Sequence, residues 1–76
     1  MKELVEILAR VLVDNPDAVR VTESGDSHST VVELRVDPQD MGKVIGRQGR
    51  VVKAIRTLVK AAGTRQGKKV SVEVIQ

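Results

Sequence analysis

Seventy-six residues carry thirteen Lys+Arg against ten Asp+Glu, a formal net charge of +3, and include no Phe, Tyr, Trp or Cys. A chain this short reads as one small domain, residues 1–76, of marginal stability with a wholly aliphatic core. The composition excludes a disulfide framework or thiolate metal site, a base-stacking aromatic platform, and a membrane span of about eighteen or more apolar residues.

Residues 2 to 14 place Leu4, Val5, Leu8, Val11 and Leu12 on one helical stripe, with Ile7 beside it and Glu3 and Glu6 in the first turn, where the helix dipole favours them. Asn15-Pro16 ends that helix, because a residue before proline avoids the helical region. Val19-Arg20-Val21-Thr22 alternates as a short strand, and Ser24-Gly25-Asp26-Ser27-His28-Ser29 is turn chemistry. Thr30 to Val36 resumes the alternation with Val32, Leu34 and Val36 on one face, so a hairpin is expected. Asp37 and Pro38 are placed as cap and first position of a short helix, with Asp40 in its first turn, and Gly46 and Gly49 interrupt it. A longer helix runs from Arg50 to Ala62, with Val51/Val52, Ile55, Leu58/Val59 and Ala62 inward and Arg50, Lys53, Arg56, Thr57 and Lys60 outward. Gly63 is expected in the left-handed position after its end. Gln66-Gly67-Lys68-Lys69 then turns the chain into a last strand with Val70, Val72 and Val74 alternating. The resulting class is α+β, in the order α-β-β-α-α-β.

Charge is distributed unevenly along this order. No acidic residue occurs between Asp40 and Glu73, yet nine of the thirteen Lys+Arg lie there; the remainder holds four basic residues against ten acidic ones. Inside that window is Val44-Ile45-Gly46-Arg47-Gln48-Gly49-Arg50. Glycine at both ends of such a turn permits positive φ and close backbone approach. The helix that follows points free N–H groups and its positive dipole end at whatever the turn holds. Arg47 and Arg50 add charge on either side, with Lys43 one turn earlier and Lys53 one turn later. These features suit a phosphate backbone held by shape and charge. A lone Gly-x-x-Gly equally serves to end one helix and start the next; the basic helix and the complete element order around it favour the functional interpretation here. Arg65, Lys68 and Lys69, in the loop before the last strand, broaden the positive field.

Val44-Ile45-Gly46-Arg47-Gln48-Gly49-Arg50-Val51-Val52-Lys53-Ala54-Ile55 resembles the signature of the KH domain, Ile-Gly-x-x-Gly followed by a helix with an apolar residue six after the second glycine. The resemblance covers essentially the whole chain and is closest to the prokaryotic type II form, in which a helix and strand precede a β-α-α-β core. It implies a three-stranded sheet packed on one side by helices, and single-stranded RNA in a groove beside the turn, with about four nucleotides clamped. Carried across, Gly46, Arg47, Gln48 and Gly49 form the clamp. Ile45 lies at the groove floor with Val36 a weaker candidate, and Lys43, Arg50 and Lys53 contact phosphates. Small bacterial single-KH proteins of this kind imply further a cytoplasmic post-transcriptional regulator or RNA chaperone. They also imply a homodimer, and a heteromer with a larger KH-containing protein of the KhpB/Jag type.

No cofactor, metal or catalysis is expected. Gly63-Thr64-Arg65-Gln66-Gly67-Lys68-Lys69 has one residue too few between its glycines for a nucleotide-binding P-loop, and a Lys where the hydroxyl belongs. His28 is the only histidine, and the acidic residues show no pairing for acid–base work. Two alternatives remain: a dimerisation or docking module of KH-like shape working through the apolar stripe of the first helix and any exposed part of the third, and non-specific duplex DNA binding through charge.

Overall fold

The computed structural model describes residues 1–75. Six main elements follow the expected order: α1 (Lys2–Leu12), β1 (Arg20–Gly25), β2 (Ser29–Arg35), α2 (Met41–Ile45), α3 (Arg50–Arg65) and β3 (Lys69–Ile75). β1 and β2 form the expected antiparallel hairpin, pairing from Arg20↔Arg35 to Gly25↔Thr30. β3 joins the other edge of β2 in parallel, from Ser29↔Lys69 to Arg35↔Ile75, giving the strand order β1-β2-β3. A parallel pair requires a crossover, and here α2, the Gly46–Gly49 turn and α3 supply it. No helix among the described residues is long and apolar enough to cross a membrane.

Val32 and Leu34 of the central strand are fully buried, flanked by Val21 of β1 and Val72 of β3. Val5 and Ala9 of α1, Val44 of α2 and Ile55 and Val59 of α3 close over them, and Val13 and Val19 of the connecting segment join the same core. Every one of these side chains is aliphatic, as the composition requires.

Four expectations are corrected. The first helix stops at Leu12, and Val13 turns extended (φ −93°, ψ 158°) to bury its side chain. The buried face of α1 is Val5 and Ala9, flanked by Leu4, Leu8 and Leu12, while Ile7 and Val11 are 61% and 78% exposed. The face is rotated because the small Ala9, not Val11, seats against the core. β1 extends through Ser24 and Gly25, read above as turn, because the Asp26 carboxylate accepts the N–H groups of His28 (2.8 Å) and Ser29 (2.9 Å) and confines the reversal to three residues. Finally, α3 continues past Gly63 to Arg65, and Gly67 takes the left-handed conformation (φ 71°). Gly63 answers to packing: a Cβ there would lie 2.7 Å from Val70 Cγ2 and 3.1 Å from the Lys68 carbonyl oxygen.

Asp37 caps as expected, its carboxylate accepting the Gln39 N–H at 2.9 Å with Pro38 opening a single 3-10 turn, Pro38–Asp40. Asp40 does more than favour a dipole. Only 3% exposed, it accepts the Asn15 N–H at 3.1 Å and pairs with Lys43 at 3.6 Å. Asn15 Nδ2 also donates to Asp37 at 3.2 Å, so the segment after α1 is tied to the start of α2. Burial opposes the charge of Asp40, but the Asn15 and Asp14 backbone N–H groups and the Lys43 ammonium outweigh it and hold the carboxyl below its ordinary 3.8. A lowered carboxyl pKa stabilises the fold above the unfolded value, and that stability is lost as pH falls through the folded one. Urea midpoints should therefore be flat from neutral pH to about 5 and fall progressively below it. In Asp40→Asn the neutral-pH midpoint should drop and the acid decline should be shallower.

Candidate nucleic-acid interface

Between α2 and α3 the backbone reverses through one 3-10 turn, Arg47–Gly49. Gly46 (φ 77°, ψ 170°), Gln48 (φ 57°, ψ 25°) and Gly49 (φ 73°, ψ 17°) all have positive φ. At Gly46 a side chain is also excluded by contact: a Cβ would overlap Val51 Cγ2 and lie 2.8 Å from the Val51 backbone nitrogen. Gly49 differs, since its Cβ position is nearly open, with only Val52 Cγ1 at 3.9 Å. Gln48 is the one non-glycine residue at positive φ among those described, a conformation costing about 1–3 kcal/mol for such a residue. Its side chain accepts a hydrogen bond from the Arg50 guanidinium at 3.3 Å.

α3 begins directly after Gly49, with no side chain capping its first N–H groups and no acidic residue in its first turn. The Arg50 N–H bonds the Arg47 carbonyl within the turn, and the positive end of this sixteen-residue helix lies beside the turn with no side-chain cap. Arg47, Gln48, Arg50 and Lys53 are exposed around it. Among the described residues none of Arg47, Arg50 and Lys53 is in an ion pair. Ile45, the last residue of α2, and Val36, just after β2, are half-buried, leaving part of each aliphatic side chain at the surface.

Two basic residues stand apart from this group. Lys43 is bound by Asp14 at 2.9 Å and Asp40 at 3.6 Å, and the Asp14 contact, by hydrogen bond and charge, raises its pKa. Its charge is answered within the protein, where it fastens α2 to the segment after α1. Arg56, expected on the outer face of α3, turns its Nε to the Val72 carbonyl of the edge strand β3 at 3.1 Å. The remaining outer stripe is Arg50, Lys53, Thr57 and Lys60, all exposed.

Sequence reasoning missed the left-handed Gln48 and the seating of Val51 on Gly46. Neither leaves a periodic signal, because the contact from residue 46 to 51 crosses a turn instead of following a helix. The partners of Arg56 and Lys43, the Val72 carbonyl and Asp14, were missed for a similar reason: they are distant in sequence, although both cations are exposed as expected.

A family model described as "KhpA/KhpB, KH domain" matches residues 2–74. The chain belongs to the KhpA/KhpB KH-domain family. It is 60% identical over 75 residues to the RNA-binding protein KhpA of Clostridium perfringens, covering 99% of this chain and all of that one. It is 50% identical over 76 residues to the RNA-binding protein KhpA of Aquifex aeolicus, covering all of this chain and 96% of the relative. Among solved structures, Era, crystallised with MgGDPNP and nucleotides 1506–1542 of 16S ribosomal RNA, superposes with a TM-score of 0.58 at 24% identity. The match covers 96% of this chain and 28% of that one, and shows a shared fold.

Gly46→Ala should cost about 1–3 kcal/mol in urea unfolding, since it adds positive-φ strain to a collision with Val51. Gly42→Ala, in α2 where a Cβ meets nothing within 4 Å, should instead be neutral or stabilising by up to about 1 kcal/mol.

Proposed function

We propose that this protein binds single-stranded RNA, with the Gly46–Gly49 turn clamping the sugar-phosphate backbone and no chemical step. The observation that carries this is the conjunction at the turn. A turn with the left-handed Gln48 and Gly49 adjoins a helix N-terminus that no side chain caps, and Arg47, Arg50 and Lys53 stand beside it without ion-pair partners among the described residues. Backbone N–H groups and mobile cations receive phosphates without regard to base identity. Ile45, with Val36, offers the bases an aliphatic surface, so selectivity is modest. Lys43, neutralised by Asp14 and Asp40, contributes by holding α2 in place. Full-length relatives named as RNA-binding proteins support the same function.

One clamp of about four nucleotides gives weak binding, and a second RNA-binding unit would raise it through effective concentration. Exposed Ile7, Val11 and Leu58 favour self-association or docking as a second property of the molecule. A homodimer, a heteromer with a KhpB/Jag-type partner, and a cytoplasmic role as a post-transcriptional regulator or RNA chaperone complete the proposal.

Fluorescence anisotropy with a short single-stranded RNA across a salt series tests it. Arg47→Asp/Gln48→Asp should bind at least about tenfold more weakly than wild type and with a flatter salt slope. Aspartate tolerates the left-handed position of Gln48, so circular dichroism should match wild type. Equal binding by the two folded proteins would remove the turn from the mechanism. Equal affinity for duplex DNA would reduce the interaction to charge alone.

A further inference from the structure

At the opposite end of α3 from the turn is a second basic feature. His28 just before β2 and Ser29 at its start, Thr64 of α3, Gly67 and Lys68 before β3, and Lys69 at its start line an open groove of about 550 Å³. A neighbouring groove shares Thr64, Lys68 and Lys69 and adds Lys60. Lys60 and Lys69 are exposed and Lys68 is half-buried, and none of the three is in an ion pair among the described residues. The Asp26 carboxylate in the hairpin accepts the His28 and Ser29 N–H groups through one oxygen, Oδ1, and is in no ion pair with these lysines.

Cations near a helix C-terminus gain from its dipole, which accounts for Arg65. That effect does not explain this cluster. The Gly63 carbonyl already accepts the Gln66 and Lys68 N–H groups (2.9 and 2.8 Å), and the Thr64 carbonyl accepts that of Gly67 at 3.0 Å. Lys60 lies a turn before the helix end, and Lys69 belongs to β3. Moreover, Arg50, Lys53, Thr57, Lys60 and Thr64 recur at three- and four-residue spacing, forming one stripe from the turn to the groove. Thr57 and Thr64 direct their hydroxyls to the Lys53 and Lys60 carbonyls (2.9 and 3.0 Å), so hydroxyl oxygens and ammonium groups alternate along it.

We propose that Lys60, Lys68 and Lys69 form a second backbone-contact site for the same RNA strand that occupies the turn, making α3 a track with an anchor at each end. This rests on the RNA-binding function proposed above. The occupant follows from charge complementarity: a row of cations without carboxylate partners matches a polyanion running its length. The sixteen residues of α3 rise about 1.5 Å each, so the helix end beside Lys68 and Lys69 lies about 24 Å from the turn, with Lys60 about 15 Å along the helix. A stacked strand advances about 3.4 Å per nucleotide, so an RNA of about twelve nucleotides reaches both anchors, while one of about four reaches only the turn.

The test compares wild type with Lys60→Gln/Lys68→Gln/Lys69→Gln by anisotropy, using single-stranded RNAs of about four and about twelve nucleotides. For the long RNA the triple variant should lose about tenfold in affinity, and its logarithmic salt slope should be shallower by about two, near 0.7 per lost phosphate contact. For the short RNA the two proteins should agree within about twofold, because only the turn is engaged. Equal loss on both lengths would make the lysines a diffuse field and overturn the second site, as would no loss on either. Wild type that gains nothing from length overturns the second site alone. Wild type that binds neither RNA overturns the RNA-binding function and this site together.

Discussion

The contact between Gly46 and Val51 is the constraint on which the candidate site depends. Val51 begins the buried flank of α3, and its backbone nitrogen and side chain occupy the space where any residue but glycine would place a Cβ. That approach seats the start of α3 against the end of α2 and forces the reversal into one turn. The positive φ angles of Gln48 and Gly49 follow as the way to close so short a connection. An open helix N-terminus beside a strained backbone is thus a consequence of aliphatic packing a few ångströms away.

Charge is arranged around that turn by exclusion. Every ion pair among the described residues draws its acid from the hairpin, α1 or the joint between α1 and α2, with the amino terminus, Arg10 or Lys43 as the base. Lys43 alone of the nine cations in the acid-free window is captured by this acidic set. The captured charge serves the fold, because Asp40 and Lys43 hold the joint that sets the position of α2. Uncaptured cations on α3 repel one another by a few tenths of a kcal/mol per neighbouring pair, a small cost for a surface that attracts a polyanion.

Much of this was legible in the sequence. Period-two runs around Val32 and Leu34, the Asp37-Pro38 helix start and the Gly46/Gly49 interruption were sufficient for the element order and for the turn, because each depends on residues close together in the chain. Three features needed the third dimension. Val11 fits the apolar stripe of α1 as well as Ala9 does, and only docking against the sheet selects the smaller residue. Gly63 has the sequence context of a helix terminator, but its role is set by Val70 across the next turn. Lys43 reads as a free cation until Asp14 is brought beside it, and the bond from Arg56 to the Val72 carbonyl likewise has no sign in the sequence.

The most direct test of the central claim is a two-dimensional ¹⁵N–¹H NMR titration of the folded protein with a short single-stranded RNA. If the turn is the clamp, the largest amide shifts should fall on residues 45–53, at Gly46, Arg47, Gln48, Gly49 and the first turn of α3, with smaller shifts near Val36. Shifts concentrated at Ile7, Val11 and Leu58, or on the outer face of the sheet, with residues 46–50 unmoved, would contradict it.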